Sequence, residues 1–176
     1  MTVVITLLKI TNVQSINSMK INIKKQCCSI SLLLFSMFAI NAQILTPAKW
    51  STSVSKEKIK KGDIIELIFK IKLDDTWHLY SNVQNYEVGP KKTEFEFEPN
   101  DTYKLVGNIK AIGTKTEYDD IFEVNVNYFE KTAEFRQKVK ILKSKAIIEG
   151  TYNYQVCTTV DGKCILGDDD FEFKIN

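Results

Sequence analysis

The chain has 176 residues, 44% of them hydrophobic and 26% charged, and a formal net charge of +2. That length suits one domain around a single core. No basic tract or acidic tail marks it for nucleic acid, and one histidine beside four cysteines is a thin supply of metal ligands.

The first forty residues speak to location. Met19 opens a short basic stretch containing Lys20, Lys24 and Lys25; an apolar run from Cys27 to Ile40 follows, then Asn41-Ala42-Gln43. A basic start, an apolar middle and a small residue at the cut make a secretory signal, and the run falls short of the ~18–20 residues that span a bilayer. Residues 1–42 are read as the signal, with Met19 as the true start, and residues 43–176 as the domain. Cleavage after Ala42 removes 42 of 176 residues and leaves 134. It also removes four lysines and no acid, so 20 basic residues then face 22 acidic ones. Cys27 and Cys28 leave too, and only Cys157 and Cys164 remain, in a periplasmic or secreted setting that permits a disulfide.

From Trp50 onward the pattern alternates with period two. Ile65, Leu67, Phe69, Ile71 and Leu73 share a face opposite Lys70 and Lys72. Phe95 and Phe97 alternate with glutamates. Phe122, Val124, Val126 and Tyr128 alternate with Glu123, Asn125 and Asn127; Phe135, Val139 and Ile141 alternate with Arg136, Lys138 and Lys140. Ile148, Tyr152, Tyr154 and Val156 share a face, and Phe171, Phe173 and Ile175 close the chain. Each segment predicts a strand with one side to a core and one to water. Turn residues separate them at 61–63, 89–90, 99–101, 119–120, 143–145 and at Gly167-Asp168. Many short strands with regular turns predict an all-β, immunoglobulin-like β-sandwich.

Cys157 and Cys164 flank six residues that include Asp161-Gly162. A two-residue turn there would make the cysteines diagonal neighbours, roughly 7–8 Å apart. Disulfides usually have about 4.4–6.8 Å between Cα atoms and cannot reach beyond about 7 Å. A bridge therefore requires a wider loop, 158–163, with the cysteines opposed at its base. The residues alone leave open a structural staple, an exchanging redox pair and a metal site; with His78 as the sole imidazole, no metal is expected.

Trp77-His78-Leu79-Tyr80-Ser81 after a long strand, Gly89-Pro90 before the next, Thr116-Glu117-Tyr118, and Tyr154-Gln155-Val156-Cys157 with Cys164 make up a combined pattern. It resembles the N-terminal periplasmic domain of the DsbD thiol:disulfide interchange proteins, over about residues 48–176. The resemblance implies that Cys157 and Cys164 carry electrons without a cofactor. A separate membrane reductase would donate them, and thioredoxin-like periplasmic proteins, including those of cytochrome c maturation, would accept them. It also implies that Tyr80 lies near the pair with His78 beside it, and that residues 107–116 form a cap loop. Ile109 or Ile112 would there take the place of the shielding aromatic of relatives. Apart from the resemblance, the charge of Lys163 beside Cys164 would favour a thiolate there. The competing function is a secreted immunoglobulin-like binding module with a purely structural disulfide. The sequence sets no oligomeric state.

Overall fold

Branched and aromatic side chains at alternate positions favour extended, pleated backbone, because each strand can then bury one row and solvate the other. The computed structural model describes residues 45–176, so the signal reading of residues 1–42 lies outside the described residues. It contains ten strands: β1 (Ala48–Val54), β2 (Ile64–Leu73), β3 (Trp77–Tyr80), β4 (Glu94–Phe97), β5 (Tyr103–Ile112), β6 (Lys115–Asp119), β7 (Val124–Glu130), β8 (Thr132–Ile141), β9 (Ala146–Thr158) and β10 (Cys164–Ile175). One sheet runs β1–β2–β8–β5. The other runs β10–β9–β3–β7–β6, with β4 also paired to β9.

The two sheets meet through the residues that the alternation singles out. β2 buries Ile65, Leu67, Phe69, Ile71 and Leu73, and β8 beside it buries Phe135, Val139 and Ile141. Across the interface stand Ile148, Tyr152 and Val156 of β9 and Phe171, Phe173 and Ile175 of β10. Phe69 meets Phe171 and Phe173 edge-on at 5.0 and 5.5 Å between ring centroids, and Trp50 stacks on Tyr152 at 3.9 Å. Such contacts join facing sheets, and the result is an immunoglobulin-like sandwich, as the sequence leads one to expect.

Three local readings change. The row Phe122, Val124, Val126 and Tyr128 does not enter this core. Phe129, between them in parity, does, while Val126 and Tyr128 join a second buried cluster with Tyr80 and Cys157 on the outer face of the six-stranded sheet. β7 thus turns its apolar row to the outer cluster and Phe129, from the row of Asn125 and Asn127, to the main core, and alternation alone cannot say which buried cluster an apolar row enters. Gly167-Asp168 is not a turn but lies inside β10, paired with Tyr154 and Asn153. Its glycine serves close approach, since a Cβ there would stand 2.3 Å from Tyr154 Cζ. Residues 107–116 are not a cap loop either: through Ile112 they continue β5 against β8, with a register shift between Val106 and Lys110, and from Lys115 they form β6.

Gly150 lets β9 approach β4 closely. A Cβ there would lie 2.0 Å from the Glu96 carbonyl oxygen and 2.6 Å from Phe171 Cζ. Backbone cannot yield as a side-chain tip can, so Gly150→Ala is expected to cost about 3 kcal/mol. The shift of the urea midpoint measures it; an unchanged midpoint would mean that β4 does not sit against β9 in this way.

Candidate functional site

β9 and β10 form a long hairpin, and near its end Cys157 pairs with Cys164 in register at a Cα separation of 4.1 Å. The two are joined as a disulfide. Thr158 N–H donates to the Lys163 carbonyl (2.9 Å), and Gly162 N–H to the Thr158 carbonyl (3.2 Å). The connection is therefore the wide loop that a bridge requires, with Gly162 at φ 67°. The loop's base is tied to the turn before β3: Thr159 N–H donates to the Thr76 carbonyl (2.9 Å), and the hydroxyls of Thr76 and Thr158 lie 3.3 Å apart.

The two sulfurs have unlike surroundings for a topological reason. β9 has neighbours on both sides, β10 and β3, whereas β10 is the sheet's edge. Cys157 is accordingly 1% exposed, while Cys164 is exposed. Gln155, two residues earlier on the same face, donates its Nε2–H to Cys157 Sγ at 3.4 Å, and its Oε1 accepts from Lys91 N–H at 2.7 Å.

Register extends the site across the sheet. Cys164 pairs with Cys157, Cys157 with His78, and His78 with Glu130, so the four share a face in one row. Tyr80 lies one step along β3 on that face and is fully buried. Its hydroxyl donates to Asp119 Oδ2 at 2.8 Å and lies 3.1 Å from His78 Nε2. A phenol has one proton; with that proton given to Asp119, the neutral imidazole must carry its own on Nε2 and leave Nδ1 unprotonated. Burial pushes the Tyr80 phenol well above its ordinary value, helped by the hydrogen bond to Asp119. Tyr128 is raised chiefly by its hydrogen bond to Glu117. Burial lowers His78 from 6.5, against the opposing pull of Asp119, Glu130 and Glu117.

Asp119 also organises the β6–β7 turn. Its Oδ1 accepts from the N–H groups of Ile121 (2.9 Å) and Phe122 (3.1 Å). That turn sets Phe122 edge-on to Tyr80 and brings Ile121 Cδ1 within 3.1 Å of where a Gly162 Cβ would stand. Between turn and loop lies a pocket of about 240 Å³ lined by His78, Asp119, Ile121 and Thr158 among others.

Of the residues singled out in the sequence, Tyr80, His78, Cys157 and Cys164 are brought together. Lys163 is at the loop's base beside Cys164, its ammonium 3.7 Å from Asp161 in an exposed ion pair. Ile109 and Ile112 are not at the bridge. Ile109 packs against the main core, and Ile112 is 45% exposed on the four-stranded sheet, because β5 belongs to that sheet. Ile121 and Phe122 occupy the flanking position instead. Sequence reading passed over Gln155, although the period-two rule puts it on the face of Cys157. It also took Asp119 for an ordinary turn residue. Among the described residues no three metal-ligating side chains converge.

The lowered His78 has a stability consequence. Below pH ~6.5 the unfolded chain takes up a proton that the folded chain still refuses, so this residue makes stability fall as pH drops through that value. His78→Gln is expected to flatten the fall. Urea midpoints of both proteins at about pH 7 and pH 5.5 compare them, and identical slopes would refute it.

The family model described as thiol:disulfide interchange protein DsbD, N-terminal, matches residues 43–175. No curated protein matches the chain. Among solved structures, the reduced N-terminal domain of Neisseria meningitidis DsbD is 17% identical, with 75% of this chain and 89% of that one covered at a TM-score of 0.48. The N-terminal periplasmic domain of ScsB from Proteus mirabilis is 14% identical over 76% of this chain, at a TM-score of 0.51. Only 49% of the ScsB chain is covered, so this chain spans about half of it, and the likeness speaks to fold alone. The match over residues 43–175, on a sandwich that carries a disulfide between Cys157 and Cys164, makes this chain a member of the DsbD N-terminal domain family.

Proposed function

We propose that this domain is exported, freed of its signal near Ala42, and passes reducing equivalents through Cys157 and Cys164. A separate membrane reductase supplies them, and thioredoxin-like periplasmic proteins receive them. The family is one of thiol–disulfide exchange. The observation that carries the finer reading is the asymmetry of the bridge, with one sulfur open at a sheet edge and the other buried.

The chemistry follows from that asymmetry. A donor thiolate attacks Cys164 Sγ; a new S–S bond forms to the donor, the Cys157–Cys164 bond breaks, and Cys157 leaves as a thiolate. The Gln155 amide N–H beside Cys157 Sγ favours that leaving group. The donor's second thiolate then displaces Cys164, and two electrons have moved to the domain. In the outward step the Cys164 thiolate attacks the acceptor's disulfide and expels one acceptor thiolate. Cys157 then attacks Cys164 Sγ, restoring the bridge and releasing the reduced acceptor.

The reduction potential of the pair tests this reading. Equilibration with glutathione or dithiothreitol buffers should place it above about −300 mV, the region of exchanging pairs. A value well below that would make the bridge a structural staple and the domain an immunoglobulin-like binding module.

A further inference from the structure

The four-stranded sheet turns an unusual surface to solvent. Register puts Lys49 of β1 in one row with Lys72 of β2, and Lys70 of β2 in the next. In the other half of the same face, Arg136, Lys138 and Lys140 of β8 lie beside Lys110 and Lys104 of β5. That is one cation from β1, two from β2, two from β5 and three from β8, eight in all. They stand against three carboxylates: Glu66 and Glu134 on the same strands, and Asp74 at the end of β2, which pairs with Lys49 at 2.7 Å. Residues 43–176 hold 20 basic and 22 acidic residues, so the rest of the domain carries twelve against nineteen. The domain is nearly neutral, and this face is strongly basic.

We infer that this face is a docking surface for an anionic lipid bilayer, which holds the domain with its disulfide turned away from the membrane. Composition favours a surface over a specific partner. Seven of the eight cations are lysines, point charges on flexible stems, whereas Arg forks are what read individual carboxylates or phosphates. The one arginine is already engaged, with Glu66 at 3.1 Å and with Glu134. Lys72, Lys104, Lys110, Lys138 and Lys140 are exposed and make no ion pair among the described residues. Ile64 and Ile112, 58% and 45% exposed, stand among them as apolar contacts for the headgroup region. No exposed aromatic on this face offers a base a stacking platform. Residues 1–44 contain four lysines and no acid, so they supply it no counter-charge. A second copy would have to meet this basic face with a different, acidic surface, a heterologous contact that cannot close as a two-fold dimer.

Each lysine near an anionic leaflet contributes about 1 kcal/mol, so reversing three should lower partitioning by at least ~100-fold. The test compares the exported chain with Lys72→Glu/Lys138→Glu/Lys140→Glu, both in whatever form processing leaves, so any N-terminal segment contributes equally. Sedimentation uses phosphatidylcholine vesicles with and without phosphatidylglycerol, at low and high salt. The wild type should bind only the anionic vesicles and only at low salt; the variant should stay in the supernatant. Lys174→Glu, on the opposite sheet, should behave as wild type. Equal binding by wild type and the triple variant overturns the inference, as does no binding at all. Tighter binding to polyglutamate than to vesicles, or a mass that grows with concentration, overturns it in favour of an acidic protein or a second copy. The reduction potential of Cys157–Cys164 is measured on the same variant and should not change, so failure here is distinct from failure of the exchange reading.

Discussion

Cys157→Ser is expected to capture a thioredoxin-like protein as a mixed disulfide, and Cys164→Ser to capture almost none. The partner used should lack its own resolving cysteine, so that the adduct cannot discharge. Attack requires an approach along the S–S axis, and the edge position of Cys164 leaves that approach open. Cys157 lies between β10 and β3, buried with Tyr80, Val126 and Tyr128. A barrier difference of only ~1.4 kcal/mol yields a tenfold ratio of adducts, and burial at 1% exposure should exceed it. Non-reducing gels with intact-mass confirmation give the ratio. The opposite ranking would reverse the roles of the two sulfurs, and no adduct with either variant would return the domain to the binding-module reading.

Asp119→Ala should weaken the protein by about 3 kcal/mol and make its disulfide severalfold easier to reduce with dithiothreitol. One carboxylate there accepts from the buried Tyr80 hydroxyl and from two backbone N–H groups of the β6–β7 turn. Alanine removes the phenol's carboxylate acceptor, leaving only the His78 imidazole within reach, and releases the turn that holds Ile121 against the disulfide loop. Asp119→Asn keeps an acceptor and should fall between the two. If stability drops while the reduction rate stays unchanged, the turn does not regulate access to the bridge.

The sandwich was legible because β2, β8 and β9 each carry one apolar row opposite a polar one, and such a row admits a single orientation. The opposed cysteines were legible too, since the reach of a disulfide excludes a two-residue turn. β7 was not: its apolar row, Val124, Val126 and Tyr128, faces a second buried cluster on the outer side, while the row of Asn125 and Asn127 sends Phe129 into the main core. The segment flanking the bridge escaped for a similar reason. Asp119-Asp120 looks like any turn until the Tyr80 hydroxyl is seen to end on it. The basic face is invisible in a linear reading. Its lysines come from four strands, each separated by core residues, and only the register of β1, β2, β8 and β5 gathers them.

The bridge joins two strands that already pair from Ala146 with Ile175 to Cys157 with Cys164. Breaking it therefore releases no strand and leaves the ladder standing. A carrier built this way needs no refolding between loading and unloading, and a partner cannot tell its charged from its spent form by overall shape. Discrimination then falls to the few ångströms around Cys164, and the direction of traffic to the difference in potential between donor and acceptor. If the proposed exchange holds, the domain is a wire whose conductance is set at its contacts, and a change in the sandwich far from that corner should alter its lifetime without altering the current.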